Sequence, residues 1–411
     1  MLDTVEKEFE LAVNSGEIPG VVLMAKDKSA FPELAGIKVN YTRCYGAKTA
    51  RAEIAPSSRP PLKADTPMRL ASASKIITTV MALQCVERGV LRMDEDVSTI
   101  LPEIGKMKVL DGFDDESQPK LRSMKGAVTL RHLLTHTSGI SYVVEDPNLM
   151  RYRDLGFISE PAAGTVTERF NYPLIHDPGL RWSYGPNLEW TGKLVERATC
   201  MDLDQYLQEN ICIPLGVTDM TFKLQQRPDM AINRADMSKR DPKGVPQNEN
   251  ASYFQSDPKD CFGGMGIFAS SAAFMEFLYS LTANDGRLLG AQTVEEMFRP
   301  QLDWECEQSL NDELDSRRET NHGGLLPQVD IRRNHGLGGL MVMEDCDGTS
   351  WRRKGSMSWG GFPNLYWCID PIAGICILIA FQLIPWADKQ CVELGRHFER
   401  AIYQKLNEVE E

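Results

Sequence analysis

Strand-like runs stand at the two ends of this chain and are scarce between them, so any large sheet has to be built from both termini. Gly20-Val21-Val22-Leu23-Met24-Ala25-Lys26-Asp27 and residues 37–46 follow a first amphipathic helix and are punctuated by turn residues. At the far end, residues 335–343, 351–355, 364–369 and 374–382 read as short strands and residues 388–406 as a closing helix. The expected fold class is α/β (α+β), with a sheet domain made of residues 1–62 and 326–411 and flanked by helices. Residues 63–325, largely helical with long loops containing Pro and Gly, read as a large inserted domain. A cleft between the two is where a substrate site is expected.

At 411 residues, 42% hydrophobic and 25% charged, the composition is that of a soluble globular enzyme. The net charge of −13, from 58 acidic and 45 basic residues, is spread without long single-sign blocks and argues against nucleic acid or an anionic membrane as partner. The acidic amphipathic N-terminus does not read as a secretory signal, and no apolar run is long enough to span a bilayer, so a cytoplasmic location is expected. Ten scattered cysteines with no Cys-x-x-Cys pair fit reduced thiols.

Ser72-Ala73-Ser74-Lys75 can build a nucleophile and its base on one helical turn. A second Ser-x-x-Lys, beginning at Ser256, has Asp257 and Pro258 inside it and reads as a loop. After Lys75, the positions Ile76, Ile77, Val80, Met81, Leu83 and Val86 follow a helical period and Gly89 supplies a stop. Ser72 is therefore expected at the first turn of a long buried helix, whose free N–H groups and dipole favour an oxyanion. Lys75, flanked by apolar side chains, would be partly desolvated and suited to act as a base.

Three further segments follow in order: Arg131-His132-Leu133-Leu134-Thr135-His136-Thr137-Ser138-Gly139, Trp182-Ser183-Tyr184-Gly185-Pro186-Asn187, and Gly263-Gly264-Met265-Gly266-Ile267-Phe268-Ala269-Ser270. Together with Ser72-x-x-Lys75 they resemble the serine beta-lactamase and penicillin-binding-protein superfamily, in its class C-like esterase and transesterase branch. The resemblance implies a beta-lactamase-like fold with an antiparallel sheet, Ser72 as nucleophile, and Lys75 and Tyr184 as its proton-transfer partners. Two departures stand out. Where a Lys-Thr-Gly strand motif is expected the chain has Trp359-Gly360-Gly361, so the cation that greets a beta-lactam carboxylate is missing, which argues for esters over lactams. The Tyr-x-Asn motif is stretched to Tyr184-Gly185-Pro186-Asn187. The backbone N–H of Phe362 or Gly361 is expected to join that of Ser72 as the oxyanion hole.

Within that branch, words such as Asn40-Tyr41-Thr42-Arg43-Cys44 and Gly192-Lys193-Leu194-Val195-Glu196-Arg197 are similar to the fungal acyltransferases of statin pathways. That resemblance implies transfer of 2-methylbutyryl from the acyl carrier protein domain of a polyketide synthase, or another acyl thioester, to the hydroxyl of a monacolin-type decalin, with no cofactor. Hydrolysis of such esters uses the same residues and is the alternative. Arg69 and Arg169 are candidates to pair with a substrate carboxylate, and Tyr142, Tyr253 and Trp386 for the apolar wall. His132 and His136 have helical metal-ligand spacing but no third ligand, so a structural role is expected and no metal. Residues 151–177 and 227–254 read as lid-like loops, and 305–324 as a solvated surface loop.

Overall fold

The computed structural model describes residues 1–28, 39–158, 164–249, 258–317, 325, 331–348 and 350–408. In chain order, the elements that frame the site are α1 (Leu2–Asn14), β1 (Gly20–Asp27), β2 (Asn40–Gly46), α2 (Ser74–Glu87), α3 (Asn187–Thr199), α4 (Ser271–Ala283), α5 (Trp304–Ser316), β3 (Arg333–His335), β4 (Leu340–Val342), β5 (Met357–Gly361), β6 (Leu365–Asp370), β7 (Ile375–Ala380) and α6 (Lys389–Glu408). The seven strands form one sheet in the order β3-β4-β5-β6-β7-β1-β2, antiparallel throughout. Val22 of β1 faces Ala380 of β7, so strands from the two ends of the chain pair directly.

The period-two pattern of these strands sorts side chains to two cores. Val22 and Met24 of β1 join Leu378 and Ala380 of β7 in one hydrophobic cluster, while Val21, Leu23, Ile377 and Ile379 belong to the other. Both sheet faces are therefore covered, which is why β1 and β7 read as continuous apolar runs instead of alternating ones. α4 packs across β1 and β7 on the first face. On the second, α6 presents Cys391, Leu394, Phe398, Ala401 and Ile402 at helical spacing, and Phe9 of α1 packs edge-on against Phe398. α2 lies within the first core, with Lys75 through Cys85 all buried.

Several expected elements differ. Residues 335–343 are not one strand: the chain reverses through Gly336 to Gly339, with Gly338 at φ 113°, and forms a hairpin of β3 and β4. Residues 351–355 form no strand, because their polar groups are taken by side chains of neighbouring elements. Trp351 Nε1 donates to Glu399 Oε1 at 2.7 Å, Arg352 Nη2 donates to Glu399 Oε2 at 2.9 Å, and Arg353 N donates to Asp370 Oδ2 at 2.8 Å. The expected surface loop at 305–324 contains α5, capped by Asp303, with Cys306, Leu310 and Leu314 buried at i, i+4 and i+8. Its many acidic residues hid that stripe. The middle of the chain also holds a small sheet of Pro67–Arg69, Met220–Thr221 and Phe268–Ser270, strands too short for a sequence period to register. Of the two lid-like segments, the first carries helices Pro147–Asp154 and Val166–Arg169 and the second helix Pro228–Asn233. Among the described residues, no helix is long and apolar enough to cross a membrane.

Candidate active site

Ser72 sits in a 3₁₀ turn, Ala71–Ala73, that runs straight into α2. The turn is one step earlier than a first α-helical turn, yet it preserves the i, i+3 relation of Ser72 to Lys75. A tight bend delivers the chain from the strand Pro67–Arg69: Ala71 has φ 47°, in the left-handed region that a residue with a Cβ rarely adopts. The bend is fixed on both sides, since Leu70 N donates to Ile267 O at 3.0 Å and Ile267 N donates to Ser74 Oγ at 3.2 Å. The Gly-Gly-x-Gly segment ahead of Ile267 thus abuts the nucleophile turn.

Ser72 Oγ accepts from Lys75 Nζ at 3.2 Å and from Tyr184 Oη at 2.9 Å. Two segments more than a hundred residues apart in sequence therefore meet at one oxygen. Lys75 is 3% exposed, and its Nζ also donates to Gly264 O at 3.0 Å and to Tyr142 Oη at 3.3 Å. Its ammonium lies 5.0 Å from the centre of the Tyr184 ring, within cation–π range. Tyr142, expected in an apolar wall, has its hydroxyl in this polar chain and donates to Glu189 Oε1 at 3.1 Å. Glu189 has no counterpart in the sequence reading; the only signal is an acidic residue in the first turn of α3, ordinary for any helix.

The Tyr184 segment is held by the loop that follows His136. Tyr142 N and Ser141 Oγ both donate to Tyr184 O, at 3.1 and 3.2 Å, and a Cβ on Gly185 would overlap the Ile140 carbonyl oxygen. Asn187 Nδ2 donates to Ile140 O at 3.1 Å and lies 3.0 Å from His136 Nδ1, while Ser138 Oγ donates to Asn187 Oδ1. Asn187 thus pins the 136–140 loop under Tyr184, and the stretched motif serves that purpose. His136 rests against the Tyr184 ring at 5.0 Å and against Trp359 at 6.4 Å, and His132 closes a capping box with Thr129. The acidic groups of Glu196 and Asp202 with Cys261 converge elsewhere, but Lys193 and Lys223 neutralise them at 3.1 and 2.8 Å.

Ser72 opens onto a largely apolar cavity of about 230 Å³ that is also lined by Tyr184, Trp359, Phe362, Trp386 and Leu314. Trp386 lines this cavity, its ring 5.2 Å from that of Tyr366. Gly361 closes β5 against the nucleophile turn so tightly that a Cβ there would overlap Leu70 O, and Phe362 follows into the cavity. Ser72 and Phe362 both line the cavity, and Gly361 packs against Leu70, two residues before Ser72. Trp359 stands in the wall where the related motif has a cation, 5.3 Å from the Tyr184 ring. Arg69 does not line this cavity: its guanidinium stacks 4.3 Å over Phe268, and burial lowers its pKa to about 10. Arg169 lies 5.7 Å from the Phe170 ring centre and its charge is felt by Glu189. Tyr253 and Ser256 lie outside the described residues.

Burial also holds histidines around the site neutral. His335, 6.0 Å from Trp359, is pushed down to about 4, as is His176, which lies 3.0 Å from Ser183 Oγ. The unfolded chain takes up these protons below about pH 6.5 and the folded protein not until about pH 4, so this stability is complete above pH 6.5 and lost as pH falls toward 4. Urea midpoints are expected to fall between pH 7 and pH 5, and to fall less in a His176→Gln/His335→Gln variant; an equal fall in that variant would assign the effect to other groups.

A family model for beta-lactamases matches residues 14–400. Monacolin J acid methylbutanoyltransferase of Aspergillus terreus is 50% identical over 405 residues, covering 98% of this chain and 96% of the relative. Lovastatin esterase of Penicillium rubens is 34% identical over 408 residues, covering 98% of each chain. The solved structure of unliganded simvastatin synthase from Aspergillus terreus superposes with a TM-score of 0.91 at 49% identity, covering 98% of both chains. With a family match over nearly its whole length and the Ser72, Lys75 and Tyr184 groups converged on one oxygen, this chain belongs to the beta-lactamase family.

Proposed function

We propose that this protein is a serine acyltransferase that moves a short branched acyl group, such as 2-methylbutyryl, from a thioester to the hydroxyl of a monacolin-type decalin polyketide. The observation that carries the reading is Ser72 Oγ, hydrogen-bonded to both Lys75 and Tyr184 at the edge of an apolar cavity. Ser72 Oγ attacks the thioester carbonyl, its proton passes to the Tyr184 and Lys75 pair, and the C–S bond breaks as that proton moves to the leaving sulfur. The decalin oxygen then attacks the acyl-enzyme, gives its proton to the same pair, and Ser72 leaves reprotonated. The donor we infer is the carrier domain of a polyketide synthase. Ten cysteines without a disulfide suit a reducing, cytoplasmic setting for it.

Hydrolysis is the second reading, favoured by the 34% identity to an esterase. Both reactions share the acyl-enzyme and differ in whether alcohol or water resolves it. Incubation with a 2-methylbutyryl thioester, with and without a monacolin-type alcohol, separates them. Ester forming faster than free acid is the expected result; free acid released at the same rate regardless of alcohol would overturn transfer.

A further inference from the structure

Glu189 is 0% exposed, and its Oε2 has no hydrogen-bond partner among the described residues. A carboxylate held this way costs stability unless something nearby uses its charge. Desolvation raises its pKa, opposed first by the charge of Lys75. The chain has also made room for it: a Cβ on Gly264 would overlap both carboxylate oxygens, and the carbonyl of that same glycine accepts from Lys75.

The hydrogen-bond directions form a closed count. Lys75 as an ammonium has three hydrogens and meets three acceptors, Ser72 Oγ, Gly264 O and Tyr142 Oη. Tyr142 can accept from Lys75 only while its single proton points elsewhere, and Glu189 Oε1 takes that proton at 3.1 Å. Replace the carboxylate by an amide and its N–H groups can be presented to Tyr142 Oη, competing with Lys75 for that oxygen and leaving the ammonium with two firm acceptors and free to drift from Ser72.

We propose that Glu189 is a positioning residue for the acyl-transfer reaction: acting through the Tyr142 hydroxyl, its carboxylate fixes the Lys75 ammonium beneath Ser72 and Tyr184. Lys75 then serves as the fixed cation beside Tyr184; with Tyr184 ionised the hydrogen bond it shares with Ser72 runs from Ser72 to Tyr184, which takes the Ser72 proton as Oγ attacks the acyl carbonyl. This inference rests on Ser72 being the acylated residue.

The test compares wild type, Glu189→Gln, Tyr142→Phe and the double variant with p-nitrophenyl butyrate, an activated ester that needs no decalin acceptor. Acylation rate, KM, the mass of the Ser72 adduct and the thermal midpoint are measured for each. Glu189→Gln keeps the shape and removes the charge, so the expected result is a loss of roughly 10- to 100-fold in acylation rate. KM should stay within about twofold, and the thermal midpoint separates a loss of positioning from a loss of fold, since Lys75 is left as a buried charge without its nearby carboxylate. Tyr142→Phe should lose a similar factor and the double variant no more than either single one, because the two act in series. An unimpaired Glu189→Gln, or losses that multiply in the double variant, would overturn the proposal. If Glu189→Gln fails to fold, an unimpaired Tyr142→Phe overturns it equally. Absence of an adduct on wild-type Ser72 would defeat the nucleophile reading first, and this inference with it.

Discussion

Ser72→Ala is expected to lower acyl transfer by about 10⁴-fold or more and to abolish any acyl mass on the protein. Ser72 Oγ is the atom on which the Lys75 and Tyr184 hydrogen bonds converge, so its removal leaves both groups without a partner to activate. The helix and its buried apolar stripe remain, and the variant should melt close to wild type. Groups that work as a unit do not lose activity additively, so Ser72→Ala combined with Tyr184→Phe should be scarcely worse than Ser72→Ala alone. Intact-mass measurement after mixing with the thioester is the direct readout. An adduct that survives in Ser72→Ala would place the nucleophile elsewhere, with a cysteine the next residue to examine.

Gly361→Ala is expected to slow acylation by about 100-fold or more, although no side chain with chemistry is lost. The added Cβ would overlap the Leu70 carbonyl oxygen, a backbone atom that no rotamer change can move. Either β5 retreats from the nucleophile turn or the bend at Ala71 opens, and each separates Phe362 from Ser72. A displacement of about 1 Å is enough for a loss of this size. Pairing of Gly361 with Leu365 anchors the strand from its other side, so the strain falls on the site and not on a loop that could absorb it. Acylation kinetics with an activated ester, together with a thermal melt, separate site damage from unfolding. A Gly361→Ala protein that acylates at the wild-type rate would show that β5 does not contribute to the oxyanion site.

The strong elements were legible because they satisfy local rules. β1 and β7 carry unbroken apolar runs, α6 a helical stripe, and α2 a helical period that begins at Lys75. What escaped was set by partners distant in sequence. The 351–355 segment, Trp-Arg-Arg-Lys-Gly, forms no strand because Glu399 and Asp370 take its polar groups. α5 carries Leu310 and Leu314 among acidic residues, and only the neighbouring elements show that this narrow stripe is inward. Arg69 stands near Ser72 in sequence, yet its side chain stacks on Phe268 across the small sheet.

By itself, the sequence determined a sheet shared by the two termini and the chemical identity of the groups at the centre: a serine, a lysine one turn on, a tyrosine after a second motif, and glycines where backbone must approach backbone. The sheet follows from periodicity and the serine–lysine pair from the spacing of one helical turn, both of which are local; the tyrosine and the glycines follow from the resemblance of the ordered motifs to a known family. Only the tertiary structure decided that Ser72 lies in a 3₁₀ turn behind a left-handed alanine, that Trp359 and Trp386 wall an apolar cavity, and that a buried carboxylate stands behind Lys75. Glu189 and Lys75 are linked through Tyr142, three residues on three separate segments. Desolvation and hydrogen-bond direction depend on what surrounds a group in space, and these are properties no single stretch of the chain contains.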